Sequence, residues 1–367
     1  MIPPSTHTAS IADLDTDYQR LGIQRDQVAA WEDGARTDGR RGTYEWWYFD
    51  AHLDDGAKVV VIFMTKDLSS PKKPLSPMIR VNLDLPDGSS HTFIRDFPAG
   101  SFTARTASTD VTIADNTFSG DLAHYEIHVQ LDDVRIDLSL DGEIRPWRPH
   151  TGYMVFGEQR DLEFSWLPAV PQGAVRGTYD VGGVRHEVTG IGYHDHNWGN
   201  VGMMSVIHDW YWARGQAGPY SVIASYITAH EKYDYAPIPI FLLAKNGRIV
   251  ADDAEFVRFQ ASDTYIDPKT KKPVAGTTRY FYDDGADRYV VTFTRRRDLV
   301  ANTFVEQMKG WRKLAARLIR FDGAYLRFVG DITVEKQVRG VVVESFTDEA
   351  IWELMYFGHA RDDSGKV

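Results

Sequence analysis

The sequence predicts an all-β protein built as two consecutive antiparallel β-barrels with a few short helices. Three observations carry that expectation. Runs of four to eight β-branched and aromatic residues recur from residue 42 almost to the end. Gly, Asp and Pro break these runs at short intervals, as hairpins require. Stretches with a helical period are scarce. At 367 residues the chain exceeds one ordinary domain, so two cores are expected: an N-terminal extension over residues 1–41, a first barrel over 42–173 and a second over 174–367.

Taken in order, residues 25–32 predict a short surface helix. The first ladder comprises residues 45–53, 58–66, 79–85, 91–97, 111–113, 125–131 and 134–140. Asp54-Asp55-Gly56, Pro86-Asp87-Gly88 and Leu131-Asp132-Asp133 supply its hairpin turns; separations this short join antiparallel neighbours and cannot cross over to parallel ones. The proline-rich stretch 146–149 and the loop 168–173 lead into a second ladder at 174–180, 184–191, 209–213, 220–229, 238–244, 278–282, 288–295, 325–334 and 337–347. One helix over 304–320 interrupts it, with Phe304, Met308, Trp311, Leu314, Ala315, Leu318 and Ile319 spaced at three and four. Its opposite face, Lys309, Arg312, Lys313, Arg317 and Arg320, is either simply solvated or docks an anionic substrate tail or a membrane surface. Closing such sheets removes their edges and encloses an interior; an open β-sandwich is the architectural alternative.

Composition narrows the function. A net charge of −11 opposes binding to phosphate backbones, so nucleic acid is not an expected partner. The absence of cysteine excludes disulfides, thiolate catalysis and cysteine-ligated metals. The longest apolar runs, 59–64 and 238–243, fall far short of the roughly 20 residues of a spanning helix, and no stable membrane insertion is expected. The N-terminus lacks the basic start and apolar core of a signal peptide, which places the chain in the cytoplasm. Ten Trp, eighteen Tyr and eighteen Phe point to a cavity for a large apolar small molecule.

Three constellations carry the chemistry. In residues 44–50 strand alternation points Glu45, Trp47 and Phe49 one way and Trp46, Tyr48 and Asp50 the other; the carboxylates either meet arginines and solvent at a barrel end or face a pocket, since burying one unpaired is costly. In residues 190–200, His194 and His196 share a strand face. That spacing permits zinc, but no third ligand is comparably placed, so no metal is assigned. Imidazoles bonded to Asp195 or Asp209 can instead relay a proton or hold a structural network. In residues 208–214, Trp210 and Trp212 face together, and such rings either pack a core or shelter a carbocation. Asp110 opens a strand and reads, by itself, as a solvated turn residue.

The segments Glu45-Trp46-Trp47-Tyr48-Phe49-Asp50, Phe164-Ser165-Trp166, Gly192-Tyr193-His194-Asp195-His196-Asn197-Trp198-Gly199, Asp209-Trp210 and Trp352-Glu353-Leu354-Met355-Tyr356 resemble the carotenoid 1,2-hydratase and AttH-like family of lipocalin-like proteins, which includes single-domain class II terpene cyclases. The resemblance implies two lipocalin-like barrels, a pocket between or within them, and no required metal or organic cofactor. It matches the hydratases' His-x-Trp pair to His196 and Trp198; their Tyr-x-Asp pair falls on Tyr226-Ile227-Thr228, where the carboxylate is absent. It matches the cyclases' acid to Asp110. The expected function is a cofactor-independent cyclase of an isoprenoid or meroterpenoid polyene, with Asp110, His194, Asp195 and His196 catalytic and Glu45, Trp47, Tyr48, Trp198, Trp210, Trp212 and Tyr226 lining the pocket. A [4+2] pericyclase, a hydratase and a non-catalytic carrier of apolar metabolites remain alternatives.

Overall fold

The computed structural model describes residues 8–67, 70–307 and 322–361. The fold is all-β, made of two large antiparallel sheets. Contacts divide the chain into one unit of Ile11–Val155 with Gln159–Gly202 and a second made of residues 8–10, Phe156–Glu158 and the chain from Met203 onward.

In the first unit the sheet runs, in hydrogen-bonded order, Ser90–Asp96, Met78–Asp84, Lys58–Met64, Tyr44–Leu53, Val184–Gly199, Leu162–Val181, Val134–Gly142, His124–Leu131, Asn116–Gly120, Thr109–Ile113 and Phe102–Ala104. Alternation decides what is buried. Val59, Val61 and Phe63 point into the core with Trp47, Phe49 and Ala51 of the neighbouring strand. The sheet curls over this core: Phe63 and Phe118, on the third and ninth strands in that order, meet at 5.8 Å between ring centres.

The expected boundary at residue 173 is corrected by this order, because Gly173 lies within a strand paired on both sides, to Gly142 and to Gly192. Pro168 and Pro171 read as loop residues because proline cannot donate to a ladder. Here the register shifts between Leu167 and Val170, and again between Val170 and Gly173, absorb them as irregularities. From Ile11 onward the N-terminal extension is likewise part of the first unit. The helix expected at 25–32 is absent; an α-helix forms at Asp15–Leu21 and a 3-10 turn at Ala30–Asp33. Buried Arg148 clamps this segment, its Nε donating to Glu32 Oε2 at 2.7 Å and its Nη1 and Nη2 donating to the carbonyls of His150 and Gln27.

In the second unit the order is Arg248–Ala251, Pro237–Lys245, Tyr220–Ala229, Ile207–Ala217, Val341–Tyr356, Ala324–Val338, Arg288–Thr303, Thr277–Asp283 and Val257–Ser262. This sheet also curls, since Phe241 on the second strand stacks on Tyr282 of the eighth at 5.8 Å. Of the helix expected over 304–320, Phe304–Gln307 is helical, and the remainder with its basic face lies outside the described residues. No helix among them is long and apolar enough to cross a membrane.

Gly177 shows how tightly the first sheet is built. Its φ of 142° disfavours any side chain, and a Cβ there would sit 2.1 Å from the Asp137 carbonyl oxygen. Gly177→Ala is expected to cost roughly 2 to 4 kcal/mol, read as a lower urea midpoint at unchanged slope.

Candidate active site

The polar stretch after residue 191 continues the strand Val184–Gly199. Opposite it in register, Trp198 faces Glu45, His196 faces Trp47 and His194 faces Phe49. Alternation therefore sends His194, His196 and Trp198 inward with Glu45 and Trp47, and leaves Tyr193, Asp195 and Asn197 on the other face with Tyr48 and Asp50.

The inward set is completed by a residue that sequence reasoning missed. Asp33, at the end of the 3-10 turn, enters the first unit's core and is buried. Trp47 Nε1 and Thr109 Oγ1 donate to its carbonyl at 3.1 and 2.9 Å. Its Oδ2 accepts from Tyr125 Oη at 2.5 Å and from Thr109 Oγ1, and lies 3.1 Å from His194 Nε2. His194 Nδ1 faces the Tyr48 carbonyl at 2.8 Å; a carbonyl only accepts, so Nδ1 carries a hydrogen, and the contact at Nε2 holds one further proton shared with Asp33. Burial opposes both charges. The Asp33 carboxylate nonetheless holds His194 above the ordinary imidazole range, and His194 with Thr109 holds Asp33 below the ordinary carboxyl range.

A second buried pair adjoins the first. His196 Nε2 lies 2.8 Å from Glu45 Oε1, and Glu45 also accepts from the Arg36 amide at 2.6 Å and from the Thr37 amide and hydroxyl, each at 2.9 Å. His196 Nδ1 stands 3.5 Å from Asp33 Oδ1. Trp47 stacks on His196 at 4.7 Å and 11°, and Trp198 tilts against it at 4.7 Å. The cavity beside Trp198, bordered by Trp31, Arg36, Arg148, Tyr153 and Trp166, measures about 10 Å³, room for about one water. Glu45, Trp47 and Trp198, expected to line a pocket, thus pack around the histidines as core.

On the other face, Asp195 accepts from Trp166 Nε1 at 2.8 Å, Tyr193 Oη at 2.7 Å and Asn197 Nδ2 at 2.6 Å. Burial pushes its carboxyl up to about 6, the donors pulling the other way. Tyr48 Oη donates to Asp50 beside it.

The remaining expected residues are not gathered here. Asp110 pairs outward with Arg105 at 2.8 Å and is 38% exposed, and its neighbour Thr109 takes the inward position. In the second unit Trp210 and Trp212 are half-buried on one face of Ile207–Ala217. Tyr226 lies on the opposite face, across from buried Tyr211, and stacks on Phe259 at 4.2 Å. No three His, Asp or Glu side chains among the described residues are placed to hold a metal ion.

With this geometry in view, the chain matches the model of the Diels-Alderase-like family over residues 40–307. The chain belongs to that family. It is similar to the quinolone epoxide rearrangement protein asqO of Emericella nidulans, 22% identical over 289 residues, which are 73% of this chain and 77% of the relative. The Diels-Alderase ucsH of an Acremonium species is 26% identical over 291 residues, 73% of this chain and 67% of the relative. An AttH-like protein of Nitrosomonas europaea shares the fold, with a TM-score of 0.58 at 17% identity over 92% of this chain and 99% of that one. The family resemblance read from residues 45–356 holds.

The Asp33–His194 pair makes stability depend on pH. Asp33, lowered from 3.8, contributes above that value and fails as pH falls through its folded pKa; His194, raised from 6.5, contributes fully below that value and fails as pH rises through its folded pKa. The pair therefore stabilises most between about pH 4 and 6.5. Asp33→Ala is expected to cost about 3 to 5 kcal/mol at pH 6 by urea unfolding. Asp33→Asn, which keeps a hydrogen bond without charge, is expected to recover part of this loss and to flatten the pH dependence above 6.5.

Proposed function

We propose that the chain is a cofactor-independent cyclase, an isomerase-type enzyme that closes rings in a large apolar natural product such as an isoprenoid or other polyene, and that Asp195 supplies the proton or hydrogen bond. The observation that carries this reading is a desolvated carboxyl poised near neutrality within a ring of Trp166, Tyr193 and Asn197. A carboxylic acid acts on an alkene or carbonyl only while it stays protonated, and burial is the cause that favours this form. Tyr193, bonded to Asp195, is the natural carrier of the proton outward, because a hydroxyl donates and accepts at once. The buried histidines contribute rigidity: they fix the strand from which Asp195 projects.

A [4+2] cycloaddition is the second reading, favoured by membership of a Diels-Alderase-like family and by the relative named Diels-Alderase ucsH. In that case the same groups polarise a carbonyl by hydrogen bonding, with no net proton transfer. Either reaction converts substrate to an isomer, so atoms balance without a co-reactant.

Turnover of a polyene substrate is expected to fall about 100-fold in Asp195→Asn and to stay unchanged in Asp110→Asn. The wild-type rate is expected to decline about tenfold per pH unit above 6, as the acid form is lost. Reaction in D₂O separates the two readings: acid initiation leaves solvent deuterium on carbon, and cycloaddition leaves none. Full activity in Asp195→Asn would remove Asp195 from the mechanism.

A further inference from the structure

Adjacent residues of a regular strand point to opposite faces, yet His208 and Asp209 meet, with His208 Nδ1 2.5 Å from Asp209 Oδ2. A register shift between Ile207 and Asp209, against the strand Tyr220–Ala229, is what turns them to the same side; irregularities of this kind re-aim side chains. Both are largely buried, their side chains 11% and 15% exposed. Thr228 Oγ1, directly across in register, steadies Asp209 Oδ1 at 3.3 Å, and the His208 carbonyl accepts from the Phe357 amide at 2.9 Å.

The carboxylate can only accept, so the hydrogen of His208 sits on Nδ1. Its Nε2 is buried and has no hydrogen-bond partner among the described residues. A proton there would be a buried donor without an acceptor, so Nε2 presents its lone pair. Leaving such a group unmatched is unfavourable, and an arriving donor removes that penalty. The edges of two rings border the imidazole, Tyr235 at 5.1 Å and 86° and Tyr356 at 5.9 Å and 81°. Tyr235 sits in left-handed conformation, φ 54°, directly after Asp234 at φ 56°. Large side chains rarely adopt that region, and strain of this kind is retained at clamps and gates.

We propose that His208 and Asp209 form a ligand site in the second unit, where His208 Nε2 accepts a hydrogen bond from the O–H or N–H of an aromatic or alicyclic small molecule and Tyr235 covers the bound group. This goes beyond the role assigned to Asp195 and does not depend on it.

The test uses the full-length chain with ¹⁵N-labelled histidines, the His208 signals being assigned by their loss in His208→Gln. Phenol is titrated as a donor probe and anisole as its methylated, non-donating counterpart. Nε2 is expected to appear unprotonated in the free protein, to shift saturably with phenol and to stay still with anisole. Tyr235→Gly, which removes the cover, is expected to weaken phenol binding at least threefold. A protonated Nε2 in the free protein overturns the proposal. So does an equal response to phenol and anisole, or silence in both wild type and Tyr235→Gly. Turnover of Asp195 variants is unaffected by any of these outcomes, so the two readings fail separately.

Discussion

The first unit is organised around the need to neutralise charge away from water. Asp33, Glu45, His194 and His196 are buried together, and any one of them alone would cost several kcal/mol. Placed as Asp33 with His194 and Glu45 with His196, each carboxylate meets an imidazole and the set carries no excess charge when both rings are protonated. The surrounding structure serves that balance. Backbone amides of Arg36 and Thr37 close on Glu45, while Tyr125 and Thr109 close on Asp33. Arg148 holds Glu32, next to Asp33, and so keeps the N-terminal segment seated.

This balance also explains how one strand serves two purposes. The inward residues of Val184–Gly199 are fixed by bonds to other parts of the chain, whereas Asp195, on the opposite face, is ringed by donors from its own strand and the next one. A rigid inner row gives the outer row a defined position. Positional tolerance in catalysis is a fraction of an ångström, and a strand free to twist would not meet it.

Most of the fold was legible because alternation is a local signal. The strand over 220–229 is observed with the expected ends, and the shared face of His194 and His196 follows from a period of two. The same period, applied to residues 109–113, points Thr109 inward and Asp110 out, so resemblance and geometry disagree at Asp110. Pairings across distance were not legible. Asp33 meets His194 from 161 residues away, and nothing within Trp31-Glu32-Asp33-Gly34 marks it as a core residue. A buried His-x-His without a metal ligand set does imply carboxylate partners, and that was the available hint. The boundary near residue 173 misled for a different reason: proline and glycine normally end a strand, and here irregular register let the strand Leu162–Val181 pass through them.

The order of strands has a consequence for biosynthesis. Tyr44–Leu53 pairs with Lys58–Met64 on one side, but its other neighbour is Val184–Gly199. As the chain leaves the ribosome, that second edge stays open until residue 199 has emerged, an interval of roughly ten seconds or more at ordinary elongation rates. Through this interval Glu45 and Asp33 lack their imidazoles, and a row of aromatic residues stands beside unpaired amides, the condition in which strands recruit foreign partners. Carboxylates that repel one another and hold water along the nascent edge would keep it soluble until the histidines arrive to cancel them.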